Sequence, residues 1–389
     1  MNVLMKAALY ALALATLGPY GYERYLTLST IVAYRPGNYT PIDTFKSHDI
    51  RLRTAGVRNC EDVLLDEDLG VAILSCDSGR DRWNTVMGTF SPDASLENGK
   101  LWLYDYSDTN SNADDTINPL AFRNFPNEND FHPLGMDLDK ETSTLYVVNH
   151  AQGGSCIEVF LLEVNAKTLT HVQTIVHPLL HAPNSIESIG GGRLYITNDH
   201  MFRSRVFPVL SKIETFSGLP GGTVVHIDLS RPEDAEIVAR VPFANGMTRL
   251  NSTTLAVAST SKAGLYLYDM QPDHSLKFKT WIRTPAAVDN LSIDSEGTIL
   301  MAGHPSALEL MKLSKGRPLC NPNSESEAER LACDCTAPSW VAQWSEEKGL
   351  ETLFHGSYFC SSSTMVRDVK RGISMISGLY ERGLMVIRE

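Results

Sequence analysis

Glu61, Asp62, Asn184, Asn245, Asp289 and Asn290 each stand at the head of a short alternating segment, and Leu134 and Ser362 hold the same place in two more. The set is dominated by carboxylate and carboxamide oxygens, with no Cys or His cluster in it. Calcium takes about six to eight such oxygens in flexible geometry, whereas zinc draws on His and Cys, and magnesium keeps a near-octahedral, water-rich shell. One axial Ca2+ is therefore expected, held by Glu61, Asn184, Asn245, Asp289 and Asn290. Taken singly, an Asn or Asp ahead of a strand is an ordinary turn residue. The metal reading rests on the five sharing one phase of a repeat.

A serine nucleophile has no support. Gly303-His304-Pro305-Ser306-Ala307 and Gly153-Gly154-Ser155-Cys156 lack the closing glycine and the strand-to-helix setting of a nucleophile elbow. Side chains able to take a proton from water include His150, His132, His200, Asp289 and Glu61. A lone His near a strand end is more often structural, which is the reading taken for His200 and His304.

These residues need an architecture that brings separate segments to one axis. A strand, a polar turn and a second apolar strand recur six times: Glu61–Leu65 with Val71–Leu74, Leu134–Leu138 with Leu145–Val148, Asn184–Ile189 with Leu194–Thr197, Asn245–Thr248 with Leu255–Ala258, Asp289–Ile293 with Ile299–Ala302, and Ser362–Val366 with Ile373–Ile376. Further strand candidates lie between them at Lys100–Tyr104, Ile157–Leu162, Thr223–Ile227, Gly264–Tyr268 and Trp340–Trp344. Four-stranded units at such spacing predict an all-β, six-bladed β-propeller with a central calcium site. A pair of two-sheet sandwiches would leave the repeat unexplained. The stretch from Tyr34 to Leu52 is expected to complete a C-terminal sheet. Helical signals are confined to the N-terminus and Ser324–Leu331.

With 389 residues, 43% of them apolar and 21% charged, the chain has the material for one large core. A formal charge of −12, with no basic run beyond Lys370-Arg371, argues against nucleic acid as a partner. Lys6 precedes an apolar stretch from Ala7 to Leu17, broken by Gly18, Pro19 and Gly21, so residues 1–20 read as a signal peptide or hydrophobic anchor and 21–389 as a single propeller domain. That order implies a secreted or secretory-lumen protein and allows membrane association through the N-terminal segment. Seven cysteines then suggest up to three disulfides. One bridge is expected within the polar insertion 315–338, among Cys320, Cys333 and Cys335; a bridge between Cys60 and Cys360 would close the first unit onto the last. Sequons occur at Asn38, Asn251 and Asn290, and only the first two look free to carry a glycan.

The segments Cys60–Leu64, Phe131–Gly135, Tyr146–Ala151, Thr197–Phe202, Phe243–Met247, Val288–Asp294 and Gly303–Pro305 resemble, in order and spacing, those of the paraoxonase/arylesterase family. The resemblance runs from about Arg58 to the C-terminus. It implies that Glu61, Asn184, Asn245, Asp289 and Asn290 match the ligands of a catalytic calcium, and that Asp62 matches a ligand of a second, structural one. It also implies hydrolysis of lactones or aryl and carboxylic esters, with calcium polarising the carbonyl oxygen and a His or carboxylate activating water. Two positions depart from the family pattern. Ser185 stands where a second-calcium aspartate is expected, and Leu134 replaces the first of a histidine pair whose second member matches His150. These departures keep two other readings open: a catalytically silent, calcium-stabilised binding module, and a gluconolactonase-like or strictosidine-synthase-like propeller enzyme.

Overall fold

The structure is a computed structural model and describes residues 3–32, 39–51, 56–91, 96–108 and 113–388. Six sheets of four or five strands succeed one another along the chain as the blades of a propeller, and one two-stranded ribbon lies outside them. Their innermost strands are Cys60–Asp66, Pro133–Asp139, Pro183–Ser188, Ala244–Asn251, Ala287–Ile293 and Ser362–Asp368. Each expected pair of strands is present, and the five intervening candidates form the third strands of blades 1 to 5.

Alternation along each strand sends apolar side chains to both blade faces, so the core lies between blades. One cluster joins Ile73 and Leu103 of blade 1 to Val147 and Phe160 of blade 2. Another joins Ala256 and Leu267 of blade 4 to Met301 and Trp340 of blade 5. The ring closes through the N-terminal part: Ser47–Arg51 pairs with Leu384–Arg388 as the outer strand of blade 6, and Ile42–Asp43 pairs with Phe354 and His355 of blade 5. Tyr34–Asn38 and Leu52, part of the stretch expected to do this, lie outside the described residues.

Three expectations need correction. The Cys60–Cys360 bridge is absent; the pairs are Cys60–Cys76, Cys320–Cys333 and Cys335–Cys360, with Cys156 free and buried. Cys60 has Cys76 directly opposite it on the adjacent strand, which settles its partner locally.

The N-terminal segment does not break at Gly18-Pro19 but continues as one helix, Val3–Ile31, with Pro19 inside it. Its last turns dock on the propeller. Arg24 is buried and donates to the Ser261 carbonyl at 2.9 Å, Glu23 pairs with Lys262 at 3.0 Å, and Ile31 packs against Ala263 and Ala287. Burial raises the Glu23 carboxyl, but hydrogen bonds from Arg24, Lys262 and Thr27 outweigh it and hold the group at about 2.

Two further helices, Pro208–Ser217 and Ala307–Gly316, were not expected. Their signals are short: Pro208 at the first turn and left-handed Gly218 at the end of one, and Ser306 accepting from the Glu309 N–H at the start of the other.

Candidate active site

In every blade the innermost strand loses register with its neighbour near its start: between Cys60 and Asp62, Pro133 and Met136, Pro183 and Ile186, Ala244 and Met247, Val288 and Leu291, and Ser362 and Thr364. A bulge frees residues from the ladder and re-aims their side chains. The residues so freed are Glu61, Leu134-Gly135, Asn184-Ser185, Asn245-Gly246, Asp289-Asn290 and Ser363. The polar ring is therefore a ring of bulges.

Glu61, Leu134, Asn184, Asn245 and Asp289 line a cavity on one side of this ring, and Asp62, Ser185 and Asn290 line the channel on the other. Adjacent residues point to opposite sides, which a single phase could not distinguish. Ser362 leaves the ring: its hydroxyl lies 3.1 Å from both the Gly303 and Trp340 carbonyl oxygens.

The inner strands approach closely at the axis. A Cβ on Gly135 would lie 2.3 Å from the Asn184 carbonyl oxygen and 2.9 Å from the Ser185 Cα, both backbone atoms. Gly135→Ala is accordingly expected to lower stability by about 3 kcal/mol, the upper end of ordinary overpacking, because no side chain can move aside. Chemical denaturation of the two proteins measures this; an unchanged midpoint would show the strands can spread.

Asn290 Nδ2 donates to Glu61 Oε1 at 2.8 Å, and Asn245 Nδ2 donates to Asp289 Oδ1 at 2.7 Å. Asp62 accepts from the Val63 and Met136 N–H groups at 2.8 and 2.9 Å. Three acceptors remain without a partner although buried: Glu61 Oε2, Asn184 Oδ1 and Asn245 Oδ1. Burial, then the neighbouring Asp62 and Asp289 carboxylates, push the Glu61 carboxyl well above the usual range. Burial also raises Asp62 to about 7, against the pull of its hydrogen bonds. Buried oxygens that lack donors, beside carboxylates that repel one another, have the chemistry of ligands to a hard divalent cation.

The cavity above the ring has a volume of about 140 Å³. Phe243, Met87, Leu310 and Met311 supply apolar wall, and Lys212 of the helix Pro208–Ser217 stands among the residues lining it. Its histidine is His304. Nε2 of His304 lies 3.0 Å from Asp289 Oδ2, and its buried Nδ1 has no partner.

The histidines favoured by sequence lie elsewhere. His150 lines a separate cavity of about 60 Å³ with His181, Asp199 and His200. Its Nδ1 meets the Thr85 hydroxyl and its Nε2 lies 2.6 Å from the Pro183 carbonyl oxygen, while burial lowers its pKa. His132 is buried against Trp83 and pairs with Asp77 at 3.2 Å, lining neither cavity. Sequence reasoning missed His304 because its place depends on cross-strand register: it faces Ala287, two residues before the Asp289 bulge.

A family model described as Arylesterase matches residues 85–342. The chain is 30% identical over 295 residues to serum paraoxonase/lactonase 3 of Oryctolagus cuniculus, covering 70% of this chain and 79% of that one. It is also 30% identical over 303 residues to serum paraoxonase/arylesterase 2 of Canis lupus familiaris, covering 76% and 78%. The chain belongs to the arylesterase family. A solved structure with a provisional gluconolactonase assignment superposes on this arylesterase-family chain with a TM-score of 0.52 at 14% identity, over 90% of this chain and 97% of the other. At that identity the likeness speaks to the propeller fold alone.

Proposed function

We propose that this chain hydrolyses lactones or aryl and carboxylic esters in the cavity above the ring, with Ca2+ held by Glu61, Asn184, Asn245, Asp289 and Asn290. The observation that carries this is that one cavity is lined by three residues with an unpartnered buried oxygen, Glu61, Asn184 and Asn245, and by His304, which has an unpartnered ring nitrogen. Family membership supports the reaction class. When bound, the ion supplies polarisation of the substrate carbonyl and stabilises the charge that develops on its oxygen.

The remaining steps belong to side chains. With Nε2–H donated to Asp289, the lone pair of His304 is at Nδ1, where it accepts a proton from the attacking water. Asp289 fixes the ring and stabilises the imidazolium that forms. Leu134 presents no proton acceptor, so this assignment does without the histidine that the family pattern has there. Hydrolysis of a panel of lactones and aryl esters, with and without chelator, tests the reading. Inertness towards all of them with calcium bound would favour a silent binding module instead.

Three disulfides suit an oxidising, secreted or lumenal setting. Among the described residues no helix is long and apolar enough to cross a membrane. Tyr10, Leu14 and Leu17 of the N-terminal helix, and Val209 and Ile213 of the helix Pro208–Ser217, are exposed apolar side chains suited to contact with a membrane surface. Asn251 is exposed in a hairpin turn and open to glycosylation, whereas Asn290 is 3% exposed and hydrogen-bonded to Glu61. Asn38 lies outside the described residues. Mass spectrometry of the secreted chain is expected to find Asn290 unmodified; a glycan there would remove it from the ring.

A further inference from the structure

Arg80 is the buried charged group of the cavity that the hydrolytic scheme leaves unused. It sits in the short turn Ser78–Asp81, is 3% exposed, and lines the cavity together with Glu61, Leu134 and Asn184. Its Nη2 donates to the Pro133 carbonyl at 2.8 Å, which anchors the guanidinium beside Leu134. Its Nε is buried and has no partner. The acids next to it in sequence are committed elsewhere. Asp81 pairs with Arg317 at 2.8 Å and Asp77 with His132 at 3.2 Å. Among the lining carboxylates, Glu61 and Asp289 face the proposed ion and would be neutralised by it.

A guanidinium keeps its proton at any working pH, and burying it without a counterion costs several kcal/mol. Glu61 is the carboxylate that feels the Arg80 charge, which pulls its carboxyl down against burial. With Glu61 given to the ion, the guanidinium has no carboxylate hydrogen-bonded to it, and an anion brought by the substrate would supply one. The second lining cation, Lys212, is exposed and lies on the helix that walls the cavity. These two cations run against a chain of net charge −12, whose overall field opposes the approach of anions.

We propose that Arg80 is a specificity-determining residue that binds a free carboxylate on the substrate. The preferred substrates are lactones or esters carrying a carboxylate away from the scissile bond, oriented so that the carbonyl meets the ring while the carboxylate meets Arg80. This rests on the hydrolytic reading, and it gives Arg80 the charge-assisted partner that the folded chain withholds.

The test compares a lactone bearing a side-chain carboxylate with the same lactone bearing a primary amide, using the full chain with calcium. Wild type is expected to favour the carboxylate in kcat/KM by roughly tenfold or more, the scale of a charge-assisted hydrogen bond. In Arg80→Leu that ratio falls to about one, chiefly through KM, and Arg80→Lys keeps part of it. A turnover-independent arm measures thermal stabilisation by glutarate and by its monoamide. Glutarate is expected to stabilise wild type more than the monoamide does, and Arg80→Leu is expected to erase the difference. Should Arg80→Leu fail to fold, Arg80→Gln serves in both arms. Equal treatment of the paired ligands by wild type, or a preference that survives removal of the guanidinium, overturns the inference while leaving the hydrolytic reading intact if neutral lactone is turned over. A glutarate preference that depends on Arg80 in a chain inert to every lactone would support the contact and overturn the hydrolytic reading.

Discussion

EDTA is expected to abolish hydrolysis and to lower the thermal midpoint together, and Asp289→Ala is expected to do the same without repair by added calcium. The two effects share a cause. Glu61, Asp62 and Asp289 are buried close enough that burial and mutual repulsion raise the Glu61 carboxyl, and three oxygens have no donor. An ion bound only by the folded ring stabilises it by about 2.7 kcal/mol at a concentration one hundred times its Kd. Losing it also removes the stabilisation of charge on the carbonyl oxygen. Asp289 touches Asn245 through Oδ1 and His304 through Oδ2. Its truncation thus disturbs both the ligand set and the histidine. Full activity and an unchanged midpoint after chelation would reduce the ring to a polar channel lining.

His304→Ala is expected to lower kcat by roughly 10² to 10⁴-fold, the range for a general base, while calcium binding and the thermal midpoint change little. The geometry separates His304 from its rivals. His304 lines the cavity and its Nδ1 has no partner, whereas both nitrogens of His150 are engaged and His132, whose Nε2 is also unpartnered, pairs with Asp77 and lines neither cavity. His150→Ala and His132→Ala are expected to retain calcium binding and most of the rate. Steady-state kinetics of the three variants, with calcium titration of each, decide the matter. If His150→Ala lost the rate and His304→Ala kept it, the proton would have to leave by way of the smaller cavity.

The blades and the oxygen ring were legible because both follow from periodicity: inner strands repeat, and like phases meet at the axis. What alternation hides is which side of the ring a residue faces. Asp289 and Asn290 are neighbours in sequence, yet one lines the cavity and the other the far channel. The disulfide of Cys60 was misread for a related reason, since a repeat marks equivalence between blades and says nothing of the residue opposite within one. The two helices flanking the cavity escaped notice because each is 10 residues long, too short for a helical period to stand out between strands. The N-terminal helix was cut short at Pro19, although tertiary contacts from Glu23, Arg24 and Ile31 carry it onward.

The pairing of Ser47–Arg51 with Leu384–Arg388 ties the order of synthesis to the birth of the site. At about 5 to 20 residues per second, the early strand emerges and then waits on the order of 20 to 70 seconds for its partner. During that interval blades 1 to 5 can form by local hairpins, and each disulfide can join cysteines that leave the ribosome close together. The oxygens of the ring come from blades 1, 3, 4 and 5, so they converge only when the last hairpin arrives and the circle is drawn shut. A nascent chain released a few residues early would carry every proposed ligand and still lack the closed ring that brings them together.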